Sequence, residues 1–62
     1  MNLIFEESDI EDAIPLLPEG LESTSVKFEG GRVTMVFNPW DESLVGEFEN
    51  VLTRKHVSFE KE

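Results

Sequence analysis

The clearest pattern in the chain is the alternation of apolar and polar residues on both sides of Gly30 and Gly31. Two adjacent glycines favour a two-residue turn with positive φ angles, and the twist of such a turn matches that of the strands in a β-hairpin. Counting outward from the turn predicts a hairpin over residues 22–38. The predicted cross-strand pairs are Glu29 with Arg32, Phe28 with Val33, Lys27 with Thr34, Val26 with Met35, and Thr24 with Phe37.

The two faces of this hairpin differ in polarity. Directly opposed residues share a face of the sheet, and successive residues alternate between faces. One face is apolar and is predicted to be buried; it holds Thr24, Val26, Phe28, Val33, Met35 and Phe37. The other face is mostly polar and is predicted to contact solvent or a partner. A shift of the register by one residue would mix the two sets, so the pattern specifies the pairing.

A second apolar pattern, at helical spacing, follows the hairpin. Asn38 and Pro39 form a helix start signal, with Asn as the cap and Pro at the first helical position. We predict the main helix over residues 39–55, with an apolar stripe of Trp40, Leu44, Val45, Phe48, Val51 and Leu52. The stripe predicts a core position for Trp40, whereas an exposed Trp40 would suit an interface with a partner protein.

The two ends of the chain carry strand patterns. Residues 2–6 contain three consecutive apolar residues, which suits a short strand in the centre of a sheet. Residues 56–60 alternate Val57 and Phe59 with polar residues, which predicts a final, half-buried strand.

The segment 9–17 has mixed helix signals. Ser8 and Glu11 have the spacing of a capping box, which predicts a helix start. Pro15 would lie in the second turn, where proline removes a backbone donor and clashes with the preceding turn. The helix is therefore expected either to end near Ile14 or to continue irregularly through Leu17.

The elements follow one another in the order βαββαβ, the order of the ferredoxin-like arrangement. We expect one α+β domain over residues 1–62, with both helices on one face of the sheet and the first strand in its centre. If the segment 9–17 does not form a full helix, the fold is a reduced variant with the hairpin and the main helix packed on one sheet face.

Fourteen acidic residues against five basic ones give a net charge of −9. Such a charge repels nucleic acid and anionic membranes and attracts basic partners. No apolar run approaches the roughly 18 residues of a membrane span, and no secretory signal is recognisable. The absence of cysteine fits the cytoplasm. We therefore expect a cytoplasmic protein without a membrane contact.

Carboxylates are densest near the first predicted helix. The candidate partner-binding residues are Glu6, Glu7, Asp9, Glu11, Asp12, Asp41, Glu42, Glu47, Glu49 and Trp40. If these carboxylates lie on one side, they could approximate rows of DNA phosphates and compete for a nucleic-acid-binding protein. The simpler interpretation is a solvated surface, since helix N-termini favour acidic residues. A metal site is not expected, because no calcium-loop motif accompanies the cluster.

No catalytic constellation is visible. His56 is the only histidine, and it has no cysteine or second histidine with which to form a nucleophilic or zinc site. Direct RNA binding is also not expected, because the apolar residues of the second hairpin strand lie on the side predicted to be buried and the net charge is negative. We expect no enzyme activity and no cofactor.

These observations lead to two functional hypotheses. The first is an acidic binding protein that occupies a basic surface of a partner protein, as an inhibitor that mimics nucleic acid would. The second is a homodimeric structural or regulatory accessory domain that associates through sheet edges or Trp40, since so small a core gains from burying apolar surface against a second copy.

Overall fold

The computed structural model describes all 62 residues and shows a small α+β domain with one four-stranded antiparallel sheet and two helices. The strands are β1 (Asn2–Glu6), β2 (Ser25–Glu29), β3 (Arg32–Val36) and β4 (Glu60–Lys61), and the helices are α1 (Ile10–Ala13) and α2 (Glu42–Arg54). The strand order across the sheet is β2-β3-β1-β4. β1 is therefore an inner strand, as its run of apolar residues predicts. None of the helices has the length and apolar character needed to cross a membrane.

The register of the hairpin is the predicted one from Glu29–Arg32 to Val26–Met35. The predicted pair of Thr24 with Phe37 is wrong. The amide and the hydroxyl of Thr24 both donate to the carbonyl of Val36, at 2.7 and 3.2 Å, so the ladder between β2 and β3 ends at Ser25. Phe37 instead exchanges hydrogen bonds with Met1 at the start of the chain.

The core lies between the helices and one face of the sheet. Its buried residues are Leu3, Phe5, Ala13, Leu21, Met35, Phe37, Val45, Phe48 and Leu52. The ring of Phe48 on α2 lies 6.2 Å from the rings of both Phe5 and Phe37, within the range of favourable aromatic contacts. Through these contacts α2 covers β1 and the end of β3. We call the sheet face turned away from the helices the open face.

The first helical segment continues irregularly, which is one of the two expected outcomes. The four-residue helix α1 lies between two 3-10 turns, Glu7–Asp9 and Ile14–Leu16. Pro15 lies at the start of the second turn, where its missing donor costs little. The predicted capping box is wrong, because no side chain caps either the first 3-10 turn or α1.

The main helix is shorter than predicted at its start. Residues Pro39–Asp41 form a 3-10 turn, and α-helical geometry begins at Glu42. Trp40 lies in that turn, outside the α-helical periodicity, and 83% of its surface is exposed. The prediction of a core position for Trp40 is therefore wrong. Asn38 precedes the turn with extended backbone but makes no side-chain cap hydrogen bond.

The end of α2 explains why the last strand is short. The Val57 amide donates to the Leu52 carbonyl and the His56 amide to the Thr53 carbonyl, which is the Schellman pattern. His56 has the left-handed conformation that this motif requires, with φ 59°. The chain therefore turns at the position where the sequence predicts a strand, and β4 contains only Glu60 and Lys61.

Candidate protein-binding surfaces

The structure separates Glu6 from the other predicted acidic residues. Glu6 ends β1 on the open face, where its carboxylate lies 3.6 Å from the Nε of Arg32. A second guanidinium nitrogen of Arg32 lies 3.4 Å from the carboxylate of Glu60 on β4. These three side chains cross the open face and are at least half exposed. Because the ion pairs are exposed, they stabilise the fold only slightly, but they occupy the carboxylate of Glu6.

The remaining carboxylates of the first helical segment lie close together in the sequence. Glu7, Glu11 and Asp12 are exposed, Asp9 is half-buried, and none of the four makes an ion pair. Asp9 and Asp12 line a shallow groove together with Lys55 and His56 from the end of α2. We call Glu7, Asp9, Glu11 and Asp12 the acidic segment.

The carboxylates of α2 do not form one row. At about 100° per residue, Glu42 and Glu49 lie on one side of the helix and Glu47 on the other, about 140–160° away. Glu49 is 3.3 Å from the ammonium group of Lys61 on β4. Glu47 lines a different groove, between α2 and the 3-10 turn Ile14–Leu16. The predicted residue Asp41 is half-buried in the turn before α2.

Charge is distributed unevenly along the chain. Ion pairs involve three of the 14 acidic side chains, those of Glu6, Glu49 and Glu60. Residues 23–40, which include the hairpin and the turn with Trp40, hold two basic residues and one acidic residue, a net charge of +1. The other 44 residues carry the balance of −10. The protein therefore has a nearly neutral region and a strongly acidic one.

The nearly neutral region exposes large apolar side chains. Phe28 is 67% exposed and Val26 is 45% exposed, although both lie on the hairpin face predicted to be buried. That prediction is correct for β3 and wrong for β2, every residue of which is exposed. The physical reason is that β2 forms the edge of the sheet, beyond the elements that cover the core. With Trp40 and Ile14, these residues are the large exposed apolar side chains outside the N-terminus.

Phe28 and Val26 are not among the site residues predicted from the sequence. The only available signal was the predicted central position of the first strand, which implies that one strand of the hairpin lies at an edge of the sheet. An edge strand with alternating apolar residues is a candidate for pairing with another chain.

The titratable groups form no metal-binding cluster. No group of three or more histidine, aspartate or glutamate side chains is close enough to hold a metal ion, and no polar side chain is buried. His56 is exposed at the end of α2. What the surface offers is an acidic segment for electrostatic contacts and an apolar strand edge for backbone pairing. Comparison of the chain with models of protein families, with curated proteins and with solved structures gave no match.

Proposed function

We propose that this protein is a non-enzymatic binding protein whose acidic surface occupies a basic surface of a partner protein. The observation that carries the proposal is the segregation of charge, with −10 outside residues 23–40 and most carboxylates free of internal ion pairs. A carboxylate without an internal partner is available to a lysine or arginine of another protein, and a surplus of one sign accelerates association with the opposite sign.

The acidic segment is the part of the surface best suited to this role. Its members Glu7, Glu11 and Asp12 are exposed and lie in the first 3-10 turn and in α1. Glu6 and Glu49 are secondary, because Arg32 and Lys61 already neutralise them. We include Asp41, Glu42, Glu47 and Trp40 as a flanking set whose contribution depends on the shape of the partner.

Mimicry of nucleic acid is the finer form of the proposal. A partner that binds nucleic acid through phosphate contacts presents lysines and arginines that carboxylates can engage in their place. In this proposal, the α+β domain is a reduced ferredoxin-like scaffold that carries this surface on its helical side. In this form of the proposal, duplex DNA or RNA competes with the protein for the same partner.

The experiment is capture of basic proteins from a lysate with matched neutralised variants. The test variant carries Glu7→Gln, Glu11→Gln and Asp12→Asn, and the control carries Glu19→Gln, Glu22→Gln and Glu62→Gln, so both lose the same charge. We expect the natural protein and the control to retain a basic partner at low salt, the test variant to lose most of it, and high salt to release it. Equal losses in both variants, or no capture by the natural protein, would contradict the proposal.

A second candidate function is that of a homodimeric structural or regulatory accessory domain. The observation that favours it is the exposed apolar surface of Phe28 and Trp40 in the nearly neutral region. The two candidates respond to salt in opposite ways. Added salt weakens contact with a basic partner but screens the repulsion between two copies that each carry −9.

A further inference from the structure

We propose that β2 of one copy pairs with β2 of a second copy, antiparallel and around a two-fold axis at Phe28, to form a dimer with one continuous sheet. This inference rests on the second candidate function and not on the contact with a basic partner.

The hydrogen bonds of β3 define which backbone groups of β2 are free. Phe37 exchanges hydrogen bonds with Met1 on the β1 side, whereas the carbonyl of Val36 accepts from Thr24 on the β2 side. Because the bonding direction alternates along an antiparallel strand, Thr34 and Arg32 also bond toward β2. Lys27 is paired with Thr34 and Glu29 with Arg32, so the backbone N–H and C=O groups of Lys27 and Glu29 point toward β3. Those of Val26 and Phe28 point outward, along an edge with no neighbouring strand.

The side chains at these two positions are the exposed apolar ones. Phe28 and Val26 lie on the same sheet face as the buried residues Val33 and Met35, directly opposite them in the hairpin. A strand added to β2 would cover this edge and continue the apolar row. Natural proteins usually protect such an edge, and this one is five residues long.

Charge identifies a second copy as the occupant. Two copies that each carry −9 repel one another over most of their surfaces, but residues 23–40 carry +1. β2 itself contains one lysine and one glutamate. The β2 edge is thus a surface on which two acidic copies can approach closely without bringing carboxylates together.

The order of residues in β2 is self-complementary in one register. Pairing around Phe28 places Phe28 opposite Phe28 of the second copy, and Lys27 opposite Glu29 twice, on the open face. Opposite charges directly across a strand pair attract, and aromatic pairs add to the contact. A register around Lys27 also matches the backbone groups, but it places the two lysines opposite each other at the shorter Cα separation of about 4.5 Å. The charges therefore favour the register around Phe28.

The assembly stops at two copies. Pairing around Phe28 aligns residues 27–29 of the two β2 strands, closes this edge of both sheets to a further copy and leaves β4 at each end. β4 has two residues, Glu60 and Lys61, and both are charged and exposed. A short, charged strand is a poor template for further pairing. The product is an eight-stranded sheet with both sets of helices on one side.

The test is sedimentation analysis over a range of protein concentrations at moderate salt. We expect a concentration-dependent dimer whose association constant rises with added salt. Phe28→Thr should lower the constant about tenfold or more, and Lys27→Glu, which places two glutamates opposite each other twice, should lower it about tenfold. The double variant Lys27→Glu with Glu29→Lys exchanges the charges and should restore most of the lost association.

Two matched controls make the result specific. Lys55→Glu makes the same charge change outside β2, and Ile14→Thr removes an exposed apolar side chain outside the nearly neutral region; both should leave association within about threefold of the natural protein. Because Phe28 is exposed, Phe28→Thr should keep the far-ultraviolet circular dichroism of the natural protein.

Each contrary outcome overturns the inference in a recognisable way. If the protein is monomeric at all concentrations, both the inference and the second candidate function are wrong. The β2 edge would then be a binding site for an extended segment of another protein. A dimer that is lost in Trp40→Thr but kept in Phe28→Thr overturns the inference alone. Failure of the charge exchange to restore association overturns the register.

Discussion

Strands β2 and β3 carry the same alternation of apolar and polar residues, but only β3 is covered. Val33 on β3 is fully buried, whereas Phe28, directly opposite on β2, leaves 67% of its surface exposed. The two residues differ in position, because β3 lies inside the sheet and β2 at its edge. An alternating pattern therefore identifies the apolar face of a strand but does not tell whether another element covers that face.

The difference in burial between β3 and β2 separates residues that stabilise the fold from residues that are available for binding. The buried side of β3 stabilises the monomer, since burial of apolar surface is the main favourable contribution to folding. The equivalent side of β2 contributes little to the monomer and is free to contact a second copy. Matched substitutions on the two strands can measure this division.

The largest difference in the cost of substitution, measured as loss of unfolding free energy, is expected between Phe37, just after β3, and Phe28 on β2. Phe37→Ala removes a fully buried ring that contacts Phe48 and should cost about 3–5 kcal/mol of unfolding free energy. That is comparable with the whole stability of roughly 3–5 kcal/mol that a core of this size supplies, so the variant should be largely unfolded. Phe28→Ala should cost about 0.5 kcal/mol or less in dilute monomer.

Urea denaturation followed by circular dichroism measures both variants. Equal losses of unfolding free energy would mean that β2 is covered as well as β3 and would contradict the comparison.

A smaller difference in unfolding free energy is expected between substitutions of Val33 on β3 and Val26 on β2. Val33→Ala removes two buried methyl groups and should cost about 2 kcal/mol, whereas Val26→Ala should cost about 0.5 kcal/mol or less. The same side-chain change on both strands removes differences of chemistry from the result. Denaturation midpoints of the two variants provide the measurement, and a larger loss for Val26→Ala would reverse the assignment of the covered strand.

The smallest effects concern the turn that joins the two strands. Gly31 has φ 77°, so Gly31→Ala should cost about 1 kcal/mol through left-handed strain. Gly46→Ala is the control: it adds the same methyl group inside α2, where nothing lies within 4 Å, and should raise stability by about 1 kcal/mol. Thermal unfolding should therefore shift in opposite directions, and a shift in the same direction would mean that the turn does not need glycine.

Local patterns in the sequence predicted most of the hairpin and α2. The glycine turn and the alternation determined the register from Glu29–Arg32 to Val26–Met35 because these are interactions between near neighbours. The stripe of Val45, Phe48 and Leu52 identified the buried face of α2, because helical spacing alone places these residues together.

Features that depend on distant parts of the chain were not predictable. Exposure of Phe28 depends on how far the helices extend across the sheet, and exposure of Trp40 on a 3-10 turn that changes the helical phase. The ion pair that removes Glu6 from the predicted acidic site was not predictable for the same reason. Arg32 is distant from Glu6 in the sequence and pairs with it across β1 and β3. Composition predicted the charge of the surface but not its division into a nearly neutral region and an acidic one.

Amide hydrogen exchange along β2, measured by NMR at low and high protein concentration, tests the account most directly. In dilute protein, Lys27 and Glu29 should exchange slowly because their amides bond to β3, whereas Val26 and Phe28 should exchange rapidly from the open edge. At high concentration, the amide of Phe28 should become protected as the second copy binds. Rapid exchange of Phe28 at every concentration, or slow exchange already in the dilute monomer, would contradict the account.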